Sequence, residues 1–541
     1  MRTRGVSDAA YVDPRVEPEG GAPHGRWAFL SLTALLSILF LTFLDNTVVS
    51  AVLTNVQSEL HAGVSQLQWV VGAYALTFAS LMLMAGSLGD NFGRKKVMLL
   101  GVLIFCAGSV VCALSTSPGD LVIGRVVMGV GAAGSEPGTL SMIRHIYPDR
   151  RRRARALGVW AAVSGLALAM GPVLGGTLVG LWSWRSVFWF NLVFGMLALA
   201  AAAASLPESA NAVRRRVDYG GFLFGALALG LVTFATIAGE SAGYRSSWIV
   251  TLYVLSGVAL LFFVNVERRV ASPMLNLRFF HRRPFAGSTF VAFTSYFSVF
   301  SIFFFVALYL EVVASVSAYG LALDFMPLLG GMVLASLFAG RWVGRVGSRV
   351  PMMTGCLLAA LGVALTDLVI GPHVGVDSLG WTMGIAGIGF GIIAVPVNSS
   401  ALTSLPADDS GMAASTINTG RELGAVAGVA ILGSIVNGQL TVNLMHRLAA
   451  IGIPQSFRAE IVTAITTGTL NSKVSAYNGV SNATIRAIIA KVTDAAYSAF
   501  TRGLNLALGA SALLLVASAA VAYFTGTSQR CDAADITCIE S

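Results

Sequence analysis

Residues 86–96 read Gly86-Ser87-Leu88-Gly89-Asp90-Asn91-Phe92-Gly93-Arg94-Lys95-Lys96. The stretch closes one apolar run, residues 68–89, and opens another, residues 96–116, so a turn dense in glycine and charge sits between two segments that exclude charge. Each run holds about 20 residues, enough for an α-helix rising roughly 1.5 Å per residue to cross a hydrocarbon core of about 30 Å. The runs are continuously apolar and lack the two-residue alternation of a membrane barrel strand. The same device recurs at Gly340-Arg-Trp-Val-Gly344-Arg-Val-Gly347-Ser-Arg349, again with glycines at offsets 0 and 7 and basic residues after them. This is a faint internal repeat, of the kind from which many transporters are built.

Outward from this turn, apolar runs lie at 28–50, 68–89, 96–116, 119–142, 154–180, 186–206, 219–239, 247–267, 285–311, 318–341, 350–371, 378–400, 411–437 and 500–524, which predicts fourteen membrane helices. Composition agrees. The 541 residues are 55% hydrophobic and 11% charged, against roughly 25% charged in a soluble domain. Such a chain cannot cover a water-facing surface and must face lipid. The net charge of +9 forms no basic face and implies no nucleic-acid partner. Cys106, Cys112 and Cys356 fall in apolar runs and Cys531 and Cys538 near the C-terminus, with no zinc spacing and no disulfide framework.

Orientation follows from the basic residues, which concentrate in cytoplasmic loops. With the N-terminus inside, the inner segments hold Arg94 to Lys96, Arg144, Arg150 to Arg153, Arg155, Arg214 to Arg216, Arg268, Arg269, Arg278, Arg282, Arg283, Arg341, Arg345 and Arg349. The short outer loops hold Arg185 and Arg245. The exception, the long outer segment 438–499, is of a length that translocates largely regardless of charge. Both termini are therefore expected in the cytoplasm. The expected organisation is a disordered cytoplasmic tail at 1–26, a six-helix bundle at 27–210 and an inserted helix pair at 211–267. An amphipathic linker at 268–284 and a second six-helix bundle at 285–524 follow, the latter including 438–499 as an extracytoplasmic helical cap with Ser481 or Asn482 at a helix start; a disordered loop is the alternative for that segment. A cytoplasmic tail at 525–541 completes the chain. No secretory leader is visible, since the first apolar run is too long for one.

Four motifs resemble the major facilitator superfamily, and within it the fourteen-span drug:proton antiporters, over nearly the whole chain. Gly86-x-Leu88-Gly89-Asp90-x-x-Gly93-Arg94-Lys95-Lys96 looks like the superfamily's loop 2–3 signature. Leu44-Asp45-Asn46-Thr47-Val48-Val49 looks like the first-span motif of the fourteen-span group, and Arg125-x3-Gly129-x-Gly131-Ala132-Ala133 like the fourth-span motif. Gly165-x5-Gly171-Pro172-x2-Gly175-Gly176 resembles the fifth-span motif associated with exporters. There are departures. The second-half repeat has Gly344 where the acid would stand, Glu136 precedes Pro137 where relatives carry an apolar residue, and Glu311 and Glu422 stand where Gln is expected.

The resemblance assigns roles that the residues can perform. Gly86 and Gly93 allow helix ends to approach, and Asp90 with Arg94 can latch them, either by pairing with a base or by meeting a neighbouring helix N-terminus. Arg125 lies within an apolar run, where an unpaired lipid-facing arginine is costly, so it calls for a carboxylate or carbonyl partner. Asp45 is an acid inside the first run that can exchange a proton; a helix cap at the outer interface is the alternative. Glu136 joins Asp45 and Arg125 as a proton-coupling candidate. Asp324 and Glu422 are candidates for recognising a cationic substrate, although Glu422 could merely neutralise Arg421. Gly171, Pro172, Gly175 and Gly176 permit close packing and a kink. Phe300, Phe303 to Phe305, Phe325 and Met326 could line an apolar pocket, or face lipid.

No GxxxxGK[ST] loop, GxSxG elbow or HExxH occurs, so no enzyme, nucleotide, metal or cofactor is implied. The expectation is an all-α polytopic membrane protein of two pseudo-symmetric six-helix bundles plus two inserted central helices, working as a monomer in a bacterial plasma membrane. It would exchange protons for amphipathic, cationic small molecules. The alternative is a dedicated exporter of one endogenous metabolite, antibiotic or lipid.

Overall fold

Apolar runs of this length bury their backbone polar groups in helices, the one local solution that satisfies them within lipid. The computed structural model describes residues 26–60, 62, 64–209, 218–270, 273, 275–312, 323–370, 379–406, 409–450, 458 and 483–527. Its first part comprises α1 (Arg26–Val48), a 3-10 turn (Val49–Val52), the short α2 (Leu53–Leu60), α3 (Val64–Phe92), α4 (Arg94–Ala113), α5 (Pro118–Ile146), α6 (Arg150–Leu181) and α7 (Arg185–Ser205). Then come α8 (Tyr219–Ala242) and α9 (Ser247–Arg269). The last part has a 3-10 turn (Leu277–His281), α10 (Arg283–Val312), α11 (Met326–Val346), α12 (Arg349–Val369), α13 (Gly380–Ser404), α14 (Ser410–Ala450) and α15 (Ala483–Thr525). Polar side chains start several of them. Ser117 and Asp120 form a capping box with Pro118 at the first turn of α5, and Asp149 accepts from the Arg152 amide (2.8 Å) at the start of α6.

α1 and α3 to α7 pack into one bundle, and α10 to α15 into the other. α8 and α9 pair with each other and lean on α3 and α14. The bundles meet along two seams, α3 against α14 and α6 against α11. Those seams are the second helix of each half against the fifth helix of the other, which is the pseudo-symmetry the repeated turn foretells. A Cβ on Gly86 of α3 would lie 2.6 Å from the Gly411 carbonyl of α14. A Cβ on Gly340 of α11 would lie 2.5 Å from the Ala154 carbonyl of α6. Gly93 and Gly347, at offset 7, end their helices at φ 110° and 88°, a left-handed conformation that suits glycine. The Arg94 amide then donates to Ser209 O (2.8 Å), and the Arg349 amide to Thr527 O (3.1 Å), each just past the sixth helix of its half.

Eleven helices among the described residues are long and apolar enough to cross a membrane. α6, bent by 43° between Leu168 and Val173, makes a twelfth when counted as one span. The bend falls at Pro172, which lacks the amide hydrogen an unbroken helix needs. α5 and α14 also occupy predicted runs, but each carries two buried charges, Arg125 and Glu136, and Arg421 and Glu422. Their low apolarity is therefore tied to the site they build. α13 is the most enclosed span, at 83% buried, and α9 the most peripheral, at 22%.

The structure adds detail at three places. The 268–284 linker holds a 3-10 turn, Leu277–His281, in its described part. α14 continues to Ala450 and α15 begins at Ala483, so both flanks of the 438–499 segment are extensions of spans. At 41 residues, α14 is roughly 60 Å long, about twice the hydrocarbon thickness. Ser481 and Asn482, the predicted cap, lie outside the described residues, as do Cys531 and Cys538. Asp324, placed by sequence within a span, is helical and is set off from α11 by a turn at Phe325.

Candidate transport site

Asp45 lies three residues before the end of α1 and is fully buried, which removes the interfacial-cap alternative. Its Oδ2 is ion-paired with Nη1 of Arg125, itself 1% exposed on α5. The other carboxylate oxygen accepts from Asn191 Nδ2 of α7 (2.7 Å). Arg125 Nε donates to Val70 O of α3 (2.9 Å), and its guanidinium lies 4.3 Å from the centre of the Tyr74 ring. Four helices of one bundle thus converge on a single ion pair. Breaking a buried pair by neutralising one partner leaves the other charge uncompensated, at a cost of about 3–5 kcal/mol.

A second cluster sits between the bundles. A cavity there is lined by Trp160 and Leu168 of α6, Tyr296 and Phe300 of α10, Phe390 of α13 and Arg421 of α14. Arg421 Nη2 donates to Asn398 Oδ1 (2.8 Å) and Nη1 to Asn418 Oδ1 (3.0 Å). Glu136 and Glu422 are buried in the same layer, near enough to act on each other and on Arg421 electrostatically. Glu136 Oε2 has no hydrogen-bond partner. Glu422 does not ion-pair with its neighbour Arg421, as the turn of about 100° per helical residue leads one to expect. Of the aromatic candidates, Phe300 lines the cavity, while Phe303 stacks on the buried Phe325 with ring centres 5.2 Å apart.

The turn at residues 86–96 makes the third site. Asp90 Oδ1 accepts from Arg94 Nη2 (2.7 Å) and from the Gly411 amide (3.1 Å), while Oδ2 accepts from the Met412 amide (3.1 Å). Asp90 thus meets both a basic side chain and the N-terminus of a helix in the opposite bundle. Arg144 adds hydrogen bonds across the same gap, to Leu405 O (2.8 Å) and Pro406 O (3.2 Å). The two bundles are bonded together at this arginine-rich end. At the equivalent place of the other half, Gly344 lies against Arg151 at the start of α6.

The fifth-span motif meets the first-span motif. A Cβ on Gly171 would lie 2.7 Å from Thr47 Cβ and 2.8 Å from the Val48 amide, and Thr47 Oγ1 donates to Leu168 O (3.1 Å). Gly175 is buried, whereas Gly176 has open space around it and takes no part in close packing. Asp324 is not brought to the central cluster. It is half-buried eight residues before Met332, the α11 residue at the cavity, or roughly 12 Å along a helix. Glu311 falls in the last turn of α10. Sequence reading missed Asn191, Tyr74, Asn398 and Trp160. Asn191 carried a usable signal, a lone amide within an apolar helix.

Residues 35–429 match the family description "Major Facilitator Superfamily". The chain is 31% identical over 448 residues to the multidrug resistance protein Stp of Mycobacterium tuberculosis, covering 83% of each. It is 31% identical over 484 residues to the drug efflux pump JefA of the same organism, covering 88% of this chain and 94% of that one. Among solved structures, the proton:xylose symporter XylE superposes with a TM-score of 0.57 at 13% identity, over 77% of this chain and 90% of that one. That last likeness is one of fold.

Proposed function

Since the chain belongs to the major facilitator superfamily, we propose that this membrane transporter is a proton-coupled exporter of amphipathic small molecules that works by alternating access. The relatives' names, a multidrug resistance protein and a drug efflux pump, support export. The observation that carries proton coupling is the buried Asp45–Arg125 pair with its Asn191 donor. Protonating Asp45 dissolves the pair and frees Arg125, which alters the packing of α1 on α5. Gly171 couples that packing to α6, and α6 forms one of the two seams. The proton site is thereby linked to the surface on which the bundles rock. No catalytic chemistry and no cofactor are assigned; the proton gradient supplies the energy.

In this reading the arginine-rich end faces the cytoplasm of a bacterial cell, both termini lie there, and the protein acts as a monomer in the plasma membrane. The Asp90 and Arg144 contacts then form a cytoplasmic latch, and the structure stands in the outward-facing arm of the cycle. Glu136 and Glu422 lie where the moving bundles meet, so both are exposed to the same rearrangement.

The test is efflux of a fluorescent amphipathic dye from cells expressing the protein, with and without an uncoupler. The proposal expects efflux to stop on uncoupling while ATP is held constant. Continued efflux under those conditions would refute it.

A further inference from the structure

Among the described residues, Arg125 and Arg421 are the most buried arginines, at 1% and 3% exposed, and they are satisfied in different ways. Arg125 has a carboxylate partner, a carbonyl and an aromatic face. Arg421, 3% exposed, is held by two neutral amide oxygens, and no carboxylate is ion-paired with it among the described residues. A guanidinium offers five N–H donors, so the Asn398 and Asn418 bonds leave part of the fork unused. Asn398 is itself fixed, because its Nδ2 donates to Ala394 O (3.0 Å) and aims Oδ1 at the arginine. Trp160 from one bundle and Tyr296 from the other each place a ring centre 5.3 Å from the guanidinium carbon. Trp160 in turn donates from Nε1 to Thr139 Oγ1 (3.0 Å). Arg421 is therefore oriented by both bundles without being neutralised by direct contact.

The cavity presents this arginine as its charged side chain, among aromatic and aliphatic walls. Sequence reading pointed to cationic substrates through Asp324 and Glu422, but neither they nor Glu136 belong to the lining. The two central acids are outside the lining and offset the arginine electrostatically. A buried guanidinium with unused donors facing an apolar cavity calls for an acceptor that arrives with the ligand. Aromatic side chains from three helices in the lining call for an apolar ring-bearing body.

We propose, building on the exporter reading, that this cavity takes amphipathic molecules whose ring system carries an acidic group, such as a carboxylate, enolate or phenolate, and that Arg421 receives that group. Arg421 is a specificity-determining residue, and Asn398 is its positioning residue. Trp160 and Tyr296 hold the ring system and the guanidinium in one stack.

The test is calorimetric binding to the full-length protein in lipid nanodiscs, using naphthalene carboxylate, its carboxamide and naphthylmethylammonium, which share one ring system. The carboxylate is expected to bind about tenfold or more tightly than the carboxamide, as a charge-assisted fork contact does. Arg421→Gln is expected to erase that preference, Arg421→Lys to keep part of it, and Glu136→Gln to leave it equal or larger. If Arg421→Gln does not fold, Asn398→Ala reads the same contact and should weaken the preference. Preference for the ammonium probe overturns the proposal. So does a carboxylate preference unchanged in Arg421→Gln or, where that variant does not fold, in Asn398→Ala, or a failure of all three probes to bind. Proton-driven efflux confined to the ammonium probe would sink the Arg421 assignment and leave the exporter standing. Carboxylate efflux indifferent to the proton gradient would do the reverse.

Discussion

Asp45 and Arg125 close an ion pair inside one bundle, and the second oxygen of Asp45 is taken by Asn191. The third residue makes the pair specific, because it fixes which oxygen faces the arginine. Hydrogen bonds to charged groups are worth about 1.5–3 kcal/mol. Asn191→Leu is therefore expected to slow proton-coupled efflux roughly tenfold or more, at unchanged protein level. Membrane-vesicle transport with quantified protein checks this, and a wild-type rate would remove Asn191 from the coupling set.

Asp90 accepts from two backbone amides of α14, and in the proposed cycle that contact latches the arginine-rich end. Asp90→Asn keeps the shape but removes the charge that a helix N-terminus favours. Losing a charge-assisted bond at the scale of about 1.5–3 kcal/mol should shift the closed-to-open ratio at this end about tenfold or more. Spin-label distances across the gap between Arg144 and Leu405 report that ratio directly. An unchanged distance distribution would show that the latch does not depend on Asp90.

Gly86 and Gly340 should behave as a pair. Valine at either site would drive its Cβ into a backbone carbonyl of the opposite bundle, so both variants are expected to insert into the membrane and yet fail to close the arginine-rich end. Gly257 of α9 has open space where a Cβ would go, and Gly257→Ala is the neutral control. Accessibility of single cysteines at the seam to a water-soluble thiol reagent separates failure to close from failure to fold. Two variants with unlike accessibility patterns would break the symmetry argument.

At the opposite end, Glu59 of α2 accepts from Arg185 and from Trp184 Nε1 (2.7 Å), which ties α2 to the start of α7. Those hydrogen bonds, Arg185 first and Trp184 second, hold the carboxyl below its ordinary value of 4.5. The unfolded chain has the ordinary value. The contribution to stability is then complete above that pH and is lost as pH falls through the lower, folded-state value. Thermal unfolding should show no contribution from this clasp to pH dependence between about pH 5 and 7, and a decline at lower pH that Glu59→Gln flattens. A Glu59→Gln curve parallel to wild type throughout would contradict this.

The spans were legible because lipid demands a long apolar run for each helix, and run length is a local property. The seams were legible for a related reason. Close helix approach needs glycine, and the repeated Gly86 and Gly340 turns announce it. The partners of Asp45 were not legible in the same way. Asn191 lies 146 residues from it in sequence, and Val70 and Tyr74 contribute a carbonyl and a ring that carry no motif. In the sequence Arg421 stands only as a charge that the adjacent Glu422 could neutralise, and the packing of α13 and α14 shows that Asn398 and Asn418 hold it instead. Asp324 went the other way. An acid in an apolar stretch looks functional wherever it falls, and here Asp324 stands eight residues, roughly 12 Å of helix, before the cavity-lining Met332.

Proton coupling through Asp45 is tested most directly in proteoliposomes, by following internal pH with a trapped dye as substrate is added under an imposed pH gradient. The wild-type protein is expected to show substrate-dependent proton flux, and Asp45→Asn to show none while still binding substrate. Undiminished proton flux in Asp45→Asn would contradict the assignment.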